Sequence, residues 1–402
     1  MILKRKYTDN AVIVLTLTLI SGASILSQYN ESLILIFFVF LLIAINRRVK
    51  LDKIIFVILV FWIIINLISA LFNSAPFSIG EFIGVSMRLI ISYLAIKIVG
   101  VNLYWSRLEH LIYKLTIISL PLFFLNTIFP DIFNSMKVFF EPITNEIFYR
   151  KESQSMYWYA FFYVNTGREE IRNSGFMWEP GAFGMMLIIA LIYNWTKNTI
   201  VLNRKSFIYV IAILSTFSIA TYLAMSLLII VYTLHTRKMY LIVLSAVLLV
   251  PISIYFSTID TMLPKVDQYV EEFNSNTANE QGYTDRLEAN RNIYFVMALE
   301  KATNFPIGNG VLEDEQSFKL TTKIVGINGL GNILLMWGWI GFVFVFYSVL
   351  KFCYKEPHSM IISIFLCLAM LITFYSNPVE NSLILYLIVL TPYIISRKLI
   401  TR

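Results

Sequence analysis

Apolar runs long enough to cross a bilayer recur from one end of this chain to the other, separated mostly by short polar loops. A spanning helix needs about 20 apolar residues, and such runs fall near 10–27, 32–46, 54–72, 80–100, 108–129, 181–196, 206–217, 220–235, 239–257, 326–350, 359–375 and 382–396. The expected fold is an all-α polytopic membrane protein of about twelve transmembrane helices, a single membrane domain over 1–402. Composition closes off the soluble alternatives. Apolar residues make up 58% of the chain and charged ones 14%, against ~45–50% and ~25% in soluble domains, and the mean hydropathy is +0.71. A water-soluble fold of this composition would expose apolar patches that monomers avoid.

The net charge of +7 comes from small basic groups between apolar runs. A nucleic-acid binder clusters its Lys and Arg in one stripe, so no nucleic-acid partner is expected. The basic residues instead specify topology. With both termini cytoplasmic, inner loops hold Lys4, Arg5, Lys6, Arg47, Arg48, Lys50, Lys53, Arg107, Lys197, Arg204, Lys205, Arg237, Lys238, Lys351, Lys355, Arg397, Lys398 and Arg402, while the short outer loops at 28–31, 73–79 and 376–381 hold no Lys or Arg. Lys4-Arg5-Lys6, an apolar run and Ser21-Gly22-Ala23-Ser24 have the layout of a cleaved signal peptide, but a retained first span agrees with the orientation of every later one. The stretch 206–235 reads as two short helices broken near Ser215-Thr216-Phe217-Ser218, because only then do Arg204-Lys205 and Arg237-Lys238 share a side. Cys353 and Cys367 sit in no CxxC or Cys/His pattern, so neither a disulfide nor a zinc site is expected.

Two long segments, 130–180 and 258–325, fall on the outer side by the same count, and long loops of this kind are where function concentrates. The first contains Met156-Tyr157-Trp158-Tyr159-Ala160-Phe161-Phe162-Tyr163, either an interfacial belt or a platform for stacking sugars. In the second, Thr284-Asp285 cap a helix running to about Lys301, which ends at Asn304-Phe305-Pro306 and turns at Gly308-Asn309-Gly310. Arg286 and Arg291 lie about 140° apart on that helix, so a single pocket does not use both.

No GxxxxGK[ST] loop is present, so nucleotide-driven transport has no support, and His110, His235 and His358 all fall outside the outer loops, which on this topology excludes outer histidine catalysis. No internal repeat or matched pair of broken helices marks an inverted-repeat transporter. Chemistry concentrates instead at Arg168-Glu169-Glu170-Ile171-Arg172-Asn173-Ser174-Gly175-Phe176-Met177-Trp178-Glu179-Pro180-Gly181, which runs straight into a span. Pro180 suits a first helical position, and arginines beside a helix N-terminus suit phosphate. Glu179 is the outer-face candidate for a general base, with N-capping as its structural alternative; Arg168 and Arg172 have pairing with Glu169 and Glu170 as theirs. Gly326-Ile327-Asn328-Gly329-Leu330-Gly331-Asn332 forms a second helix entry on the same side, where glycines permit close approach of a polar group to backbone N–H donors. Arg88 lies inside the run 80–100, and an intramembrane charge marks a candidate site.

These residues carry a family resemblance. Arg172 through Gly181 resembles the R-x-x-G-x-x-x-E-P segment of bacterial O-antigen polymerases of the Wzy type. Arg286 through Pro306-Ile307-Gly308-Asn309-Gly310 is similar to the R…P-x-G-x-G segment of the wider polymerase and ligase superfamily. Asn328, about ten residues before Gly338-Trp339-Ile340-Gly341, resembles its span entry. Ligases of that superfamily carry histidine before this asparagine, and Ile327 here favours polymerase. The match covers roughly 168–345.

The resemblance implies a GT-C-like membrane glycosyltransferase acting at the periplasmic face of the bacterial inner membrane on undecaprenyl-pyrophosphate-linked glycan, in contact with membrane lipid, without cofactor or metal, and with a chain-length regulator as a further partner. Arg172 and Arg286 would hold the pyrophosphate and Glu179 would take the acceptor proton, ahead of Asp285 and Glu288. Arg168, Arg291, Gly308, Gly310, Asn328 and Arg88 would contact substrate. The rival readings are an O-antigen ligase and a polysaccharide flippase or transporter.

Overall fold

A computed structural model describes residues 2–22, 26, 30–72, 78–132, 135, 158–159, 163–165, 172–197, 199–238, 291–311, 328–355 and 359–394. Its helices are α1 (Ile2–Ser21), α2 (Asn30–Asn46), α3 (Lys53–Phe72), α4 (Ile79–Val99), α5 (Val101–Ile128), α6 (Pro180–Lys197), α7 (Arg204–Ser215), α8 (Ile219–Thr236), α9 (Arg291–Asn304), α10 (Gly329–Cys353), α11 (Met360–Ser376) and α12 (Leu383–Leu390). A two-residue hairpin, β1 (Trp158–Tyr159) and β2 (Val164–Asn165), pairs antiparallel between α5 and α6. Five of the helices, α3, α4, α5, α8 and α10, are long and apolar enough to cross a membrane.

The protein is a helical membrane protein. Its exposed surface carries the apolar residues that a soluble protein buries: Leu42, Ile45, Val57 and Leu67 are each more than half exposed on α2 and α3. By contrast α6 and α12 are apolar on every side and enclosed along almost their whole length, which identifies them as the central helices of the bundle. The approach at the α6–α8 crossing is close because Gly184 leaves room for the Thr221 side chain.

Ion pairs gather at one end of the bundle. Asp9 of α1 bonds Arg47 at 2.5 Å and Arg107 of α5 at 3.3 Å, Asp52 bonds Lys97 at 2.7 Å, and Glu109 bonds Lys205 at 2.6 Å. Arg47, Arg107 and Lys205 are basic groups that the sequence assigned to one side, and Lys97 joins them. The early start of α1 has the same origin, since the polar turns before residue 10 are helical and deliver Asp9, only 3% exposed, between two guanidinium groups.

The stretch 206–235 is two helices. Trp195, near the end of α6, donates to Ser206 at the start of α7 at 3.1 Å and lies 6.3 Å from the ring of Tyr232 near the end of α8. The chain therefore travels away from the ion-paired end and returns, reversing at Thr216-Phe217-Ser218, where Phe217 has a left-handed φ of 47°. The run 382–396 is helical only to Leu390, where the chain tightens into a 3-10 turn containing Pro392. The expected span 239–257 lies outside the described residues.

α10 is broken. Gly338 leaves helical geometry at φ 63°, ψ −169°, a region open essentially only to glycine. The segment after α9 fills the break. Pro306 O accepts from Trp339 N at 2.8 Å, Asn309 N donates to Leu335 O at 2.7 Å, and Gly310 N donates to Met336 O at 3.1 Å. α9 thus descends beside the first turns of α10, and residues 306–311 turn back at the level of Gly338, about 14 Å along the helix from Gly329. Non-helical backbone is tolerated at such depth only where protein encloses it. α3 closes the other side, with Ser69 donating to Asn309 O and Asn66 Oδ1 accepting from Val311 N at 2.9 Å.

Candidate functional site

The entry to α6 is held by its neighbours. Asn173 Nδ2 donates to Ser215 Oγ at 2.8 Å, Asn173 Oδ1 accepts from Gly175 N at 2.9 Å, and Trp178 N donates to Ser21 O at 3.1 Å. Gly175, at φ 52°, leaves room for the ring of Phe183. Pro180 opens α6, and Glu179 O accepts the first helical bond from Phe183 N at 3.1 Å. Glu179 therefore stands in the cap position, half-buried, at the end of a central helix and away from the ion-paired end of the bundle.

Arg172 lies beside the α7–α8 reversal. Its Nε donates to Thr216 O at 3.2 Å and its Nη2 to Phe217 O at 2.6 Å. A helix C-terminus leaves carbonyl groups without intrahelical partners, and the guanidinium satisfies two carbonyls at the turn that follows α7. Ser218, next in the chain, faces the start of α6. Around the position that a Cβ on Gly181 would take lie Asn377 Oδ1 at 3.5 Å, Glu179 Oε1 at 3.7 Å and Ser218 Oγ at 3.8 Å.

Asn377 begins the loop 377–382 between α11 and α12, and three candidate regions meet on this loop. On one side is the entry to α6 just described. On another, Asn328 Oδ1 caps α10 by accepting from Gly331 N at 2.9 Å, and the absent side chain of Gly329 admits Asn377 O and Phe374 O. On a third, Glu380 lies within electrostatic reach of Arg88, and Asn332 sits beside its carboxylate. Tyr294 of α9 donates to Asn332 Oδ1, and Tyr386 donates to Glu380 O at 2.7 Å.

Glu380 is 4% exposed. Its Oε1 accepts from Asn381 at 3.4 Å, whereas its Oε2, like Asn377 Oδ1, has no hydrogen-bond partner among the described residues. Burial pushes its carboxyl up to about 7, against the smaller opposing pull of its own backbone, Asn332 and Arg88. Glu380 and Asn377 escaped the sequence reading, which saw in 376–381 only an absence of Lys and Arg. The available signal was Asn377-Pro378-Val379-Glu380-Asn381 itself, a carboxylate and two amides set between two apolar runs.

The structure brings Glu179, Asn328 and Arg88 around one loop and sets Arg172 at the adjacent turn. Gly308 and Gly310 sit elsewhere, with φ of 95° and 59°; the first abuts the α10 break and the second the amide of Asn66. Arg291 is the first residue of α9. Arg168, Asp285, Arg286 and Glu288 lie outside the described residues, as does most of the aromatic cluster at 156–163. Tyr163 from that cluster is buried against Phe123, and its hydroxyl accepts from Asn126 at 3.4 Å. Among the described residues no group of three His, Cys, Asp or Glu side chains is placed to hold a metal ion. The chain matches no protein family model, no curated protein and no solved structure.

Proposed function

We propose that this chain is a glycosyltransferase of the bacterial cytoplasmic membrane that joins undecaprenyl-pyrophosphate-linked oligosaccharide repeat units into O-antigen or capsular polysaccharide. The observation that carries this reading is the placement of Glu179: a half-buried carboxylate at the entry of a central helix, at the end remote from the basic groups. The positive-inside rule turns that end to the outer face, where a lipid-linked glycan offers its sugars.

In the proposed reaction Glu179 takes the proton of the acceptor hydroxyl, as a general base within hydrogen-bond reach does. The acceptor oxygen attacks the anomeric carbon of the growing chain. The bond from that carbon to the pyrophosphate breaks, and the lipid pyrophosphate leaves with the electron pair. Arg172 and Arg286 hold the leaving group and stabilise its charge, with Arg168, Asn328 and Arg88 as further substrate contacts; Gly308 and Gly310 pack against Gly338 and Asn66 and serve the fold instead. The bacterial inner membrane, cytoplasmic termini and a chain-length regulator as partner belong to the same proposal.

Deletion of the gene with plasmid complementation, read on a gel of surface polysaccharide, tests it. The expected result is loss of the long ladder with lipid A core bearing one repeat unit still present. If no repeat reaches the core at all, the chain is a ligase or a flippase and the polymerase reading fails.

A further inference from the structure

Asn377 Oδ1 is the most informative polar atom at this end of the bundle. Asn377 is 1% exposed and its Oδ1 has no hydrogen-bond partner among the described residues. A buried amide oxygen left without a donor forfeits the hydrogen bonds it makes to water, so such atoms point to a group that the protein alone does not supply. The orientation of the amide is fixed, because Nδ2 donates to Thr373 O at 2.7 Å, and only the oxygen can then face α6. It faces Gly181, where Glu179 Oε1 and Ser218 Oγ also converge within 4 Å of one point. Gly181 is itself half-buried.

What Asn377 Oδ1 lacks is a donor. An amide oxygen only accepts hydrogen bonds, so a phosphate does not complete it and a hydroxyl does. Resting on the function proposed above, we infer that this recess seats the acceptor sugar: Asn377 Oδ1 accepts from one sugar hydroxyl and thereby aims the neighbouring, attacking hydroxyl at Glu179. The attacking O–H passes its proton to the Glu179 carboxylate while its oxygen bonds the anomeric carbon, the bond from that carbon to the lipid pyrophosphate breaks and the pyrophosphate leaves with the electron pair, and the carboxyl then releases the proton to water. Asn377 and Ser218 are acceptor-binding residues in this scheme, and Gly181 keeps the recess open.

Gly181→Ala separates binding from folding. The added methyl meets nothing closer than 3.5 Å, an ordinary contact, and Ala is the better helix former. It nonetheless stands where the three oxygens converge. The test uses the purified full chain in lipid nanodiscs with lipid-linked repeat units, measuring polymer formed and melting temperature, together with Asn377→Ala. Gly181→Ala is expected to melt at or above the wild-type temperature and to form polymer at least tenfold more slowly. Asn377→Ala is expected to raise KM for the acceptor unit more than it lowers kcat.

Wild-type rates in Gly181→Ala overturn the acceptor seat and leave the polymerase reading standing. A wild-type chain that forms no polymer overturns that reading and the seat with it. Activity that needs sodium and vanishes when choline replaces it assigns the three oxygens to a cation, which also overturns the proposal.

Discussion

The two ends of the bundle solve the same problem in opposite ways. At one end every buried carboxylate among the described residues has a cation: Asp9 lies between Arg47 and Arg107, and Glu109 accepts from Lys205 and from the Tyr209 hydroxyl at 2.9 Å. At the other end Glu380 and Asn377, equally buried, each keep an acceptor without a partner among the described residues, and Gly181 and Gly329 pack beside Asn377. Removing a polar group from water is costly unless it is paired; at the first end the carboxylates are paired and the Tyr104 hydroxyl alone among the described residues lacks a partner, whereas at the second end a carboxylate and an amide oxygen both lack one. That contrast supports the proposal that the chemistry lies at the end away from the basic loops.

The largest effect should separate the ends by activity. Glu179→Gln removes the proton acceptor and keeps the shape, and general-base catalysis contributes about 10²–10⁴-fold. Polymer formation per folded molecule is expected to fall by at least about a hundredfold. Glu109→Gln, at the ion-paired end, is expected to keep that rate in whatever fraction folds. Equal losses in the two variants, each normalised to folded protein, would erase the functional distinction.

A second effect separates them by stability. Asp9→Leu removes the carboxylate shared by two arginines, and stripping one partner from a buried pair costs about 3–5 kcal/mol. The guanidinium groups are 17% and 25% exposed, so the lower figure, about 3 kcal/mol, applies. The expected outcome is a clear drop in the midpoint of denaturant unfolding. Asn377→Ala at the opposite end should lower it less, because it gives up the one Nδ2 bond to Thr373 O and strands no charge. A larger loss from Asn377→Ala would show that the second end is as internally satisfied as the first.

How far the sequence reveals these two ends follows from the range of the interactions involved. Span-length apolar runs are local signals, and the helices fall close to where they were expected. The break at Thr216-Phe217-Ser218 was legible because charge sidedness demanded it. Glu179 was legible because proline and glycine mark the helix that it enters. Gly338 was not: Trp337-Gly338-Trp339 reads as an uninterrupted span, and the break exists only because residues 306–311 supply the hydrogen bonds that the helix forgoes. Asn377 was hidden in the same way, since its meaning comes from Gly181, nearly 200 positions away. Arg172 was read as an anion ligand from its place beside a helix entry. Its contacts with Thr216 O and Phe217 O depend on a reversal some 45 residues on.

The smallest effect tests the electrostatics of the open end alone. With its carboxyl held near 7 by burial, Glu380 stays protonated in the folded chain over a range in which the unfolded chain, at the ordinary value of 4.5, has already lost the proton. The folded state therefore binds more protons between those values, and its stability falls as pH rises through them. Between pH 5 and pH 7 the change is about 2 kcal/mol for this one group. Glu380→Gln is neutral at every pH, so it should flatten the decline in melting temperature from pH 5 to pH 7 while leaving the value at pH 5 close to wild type. A decline of unchanged steepness in Glu380→Gln would mean that Arg88 holds this carboxylate ionised, and the second end would then carry an ion pair of the kind that closes the first.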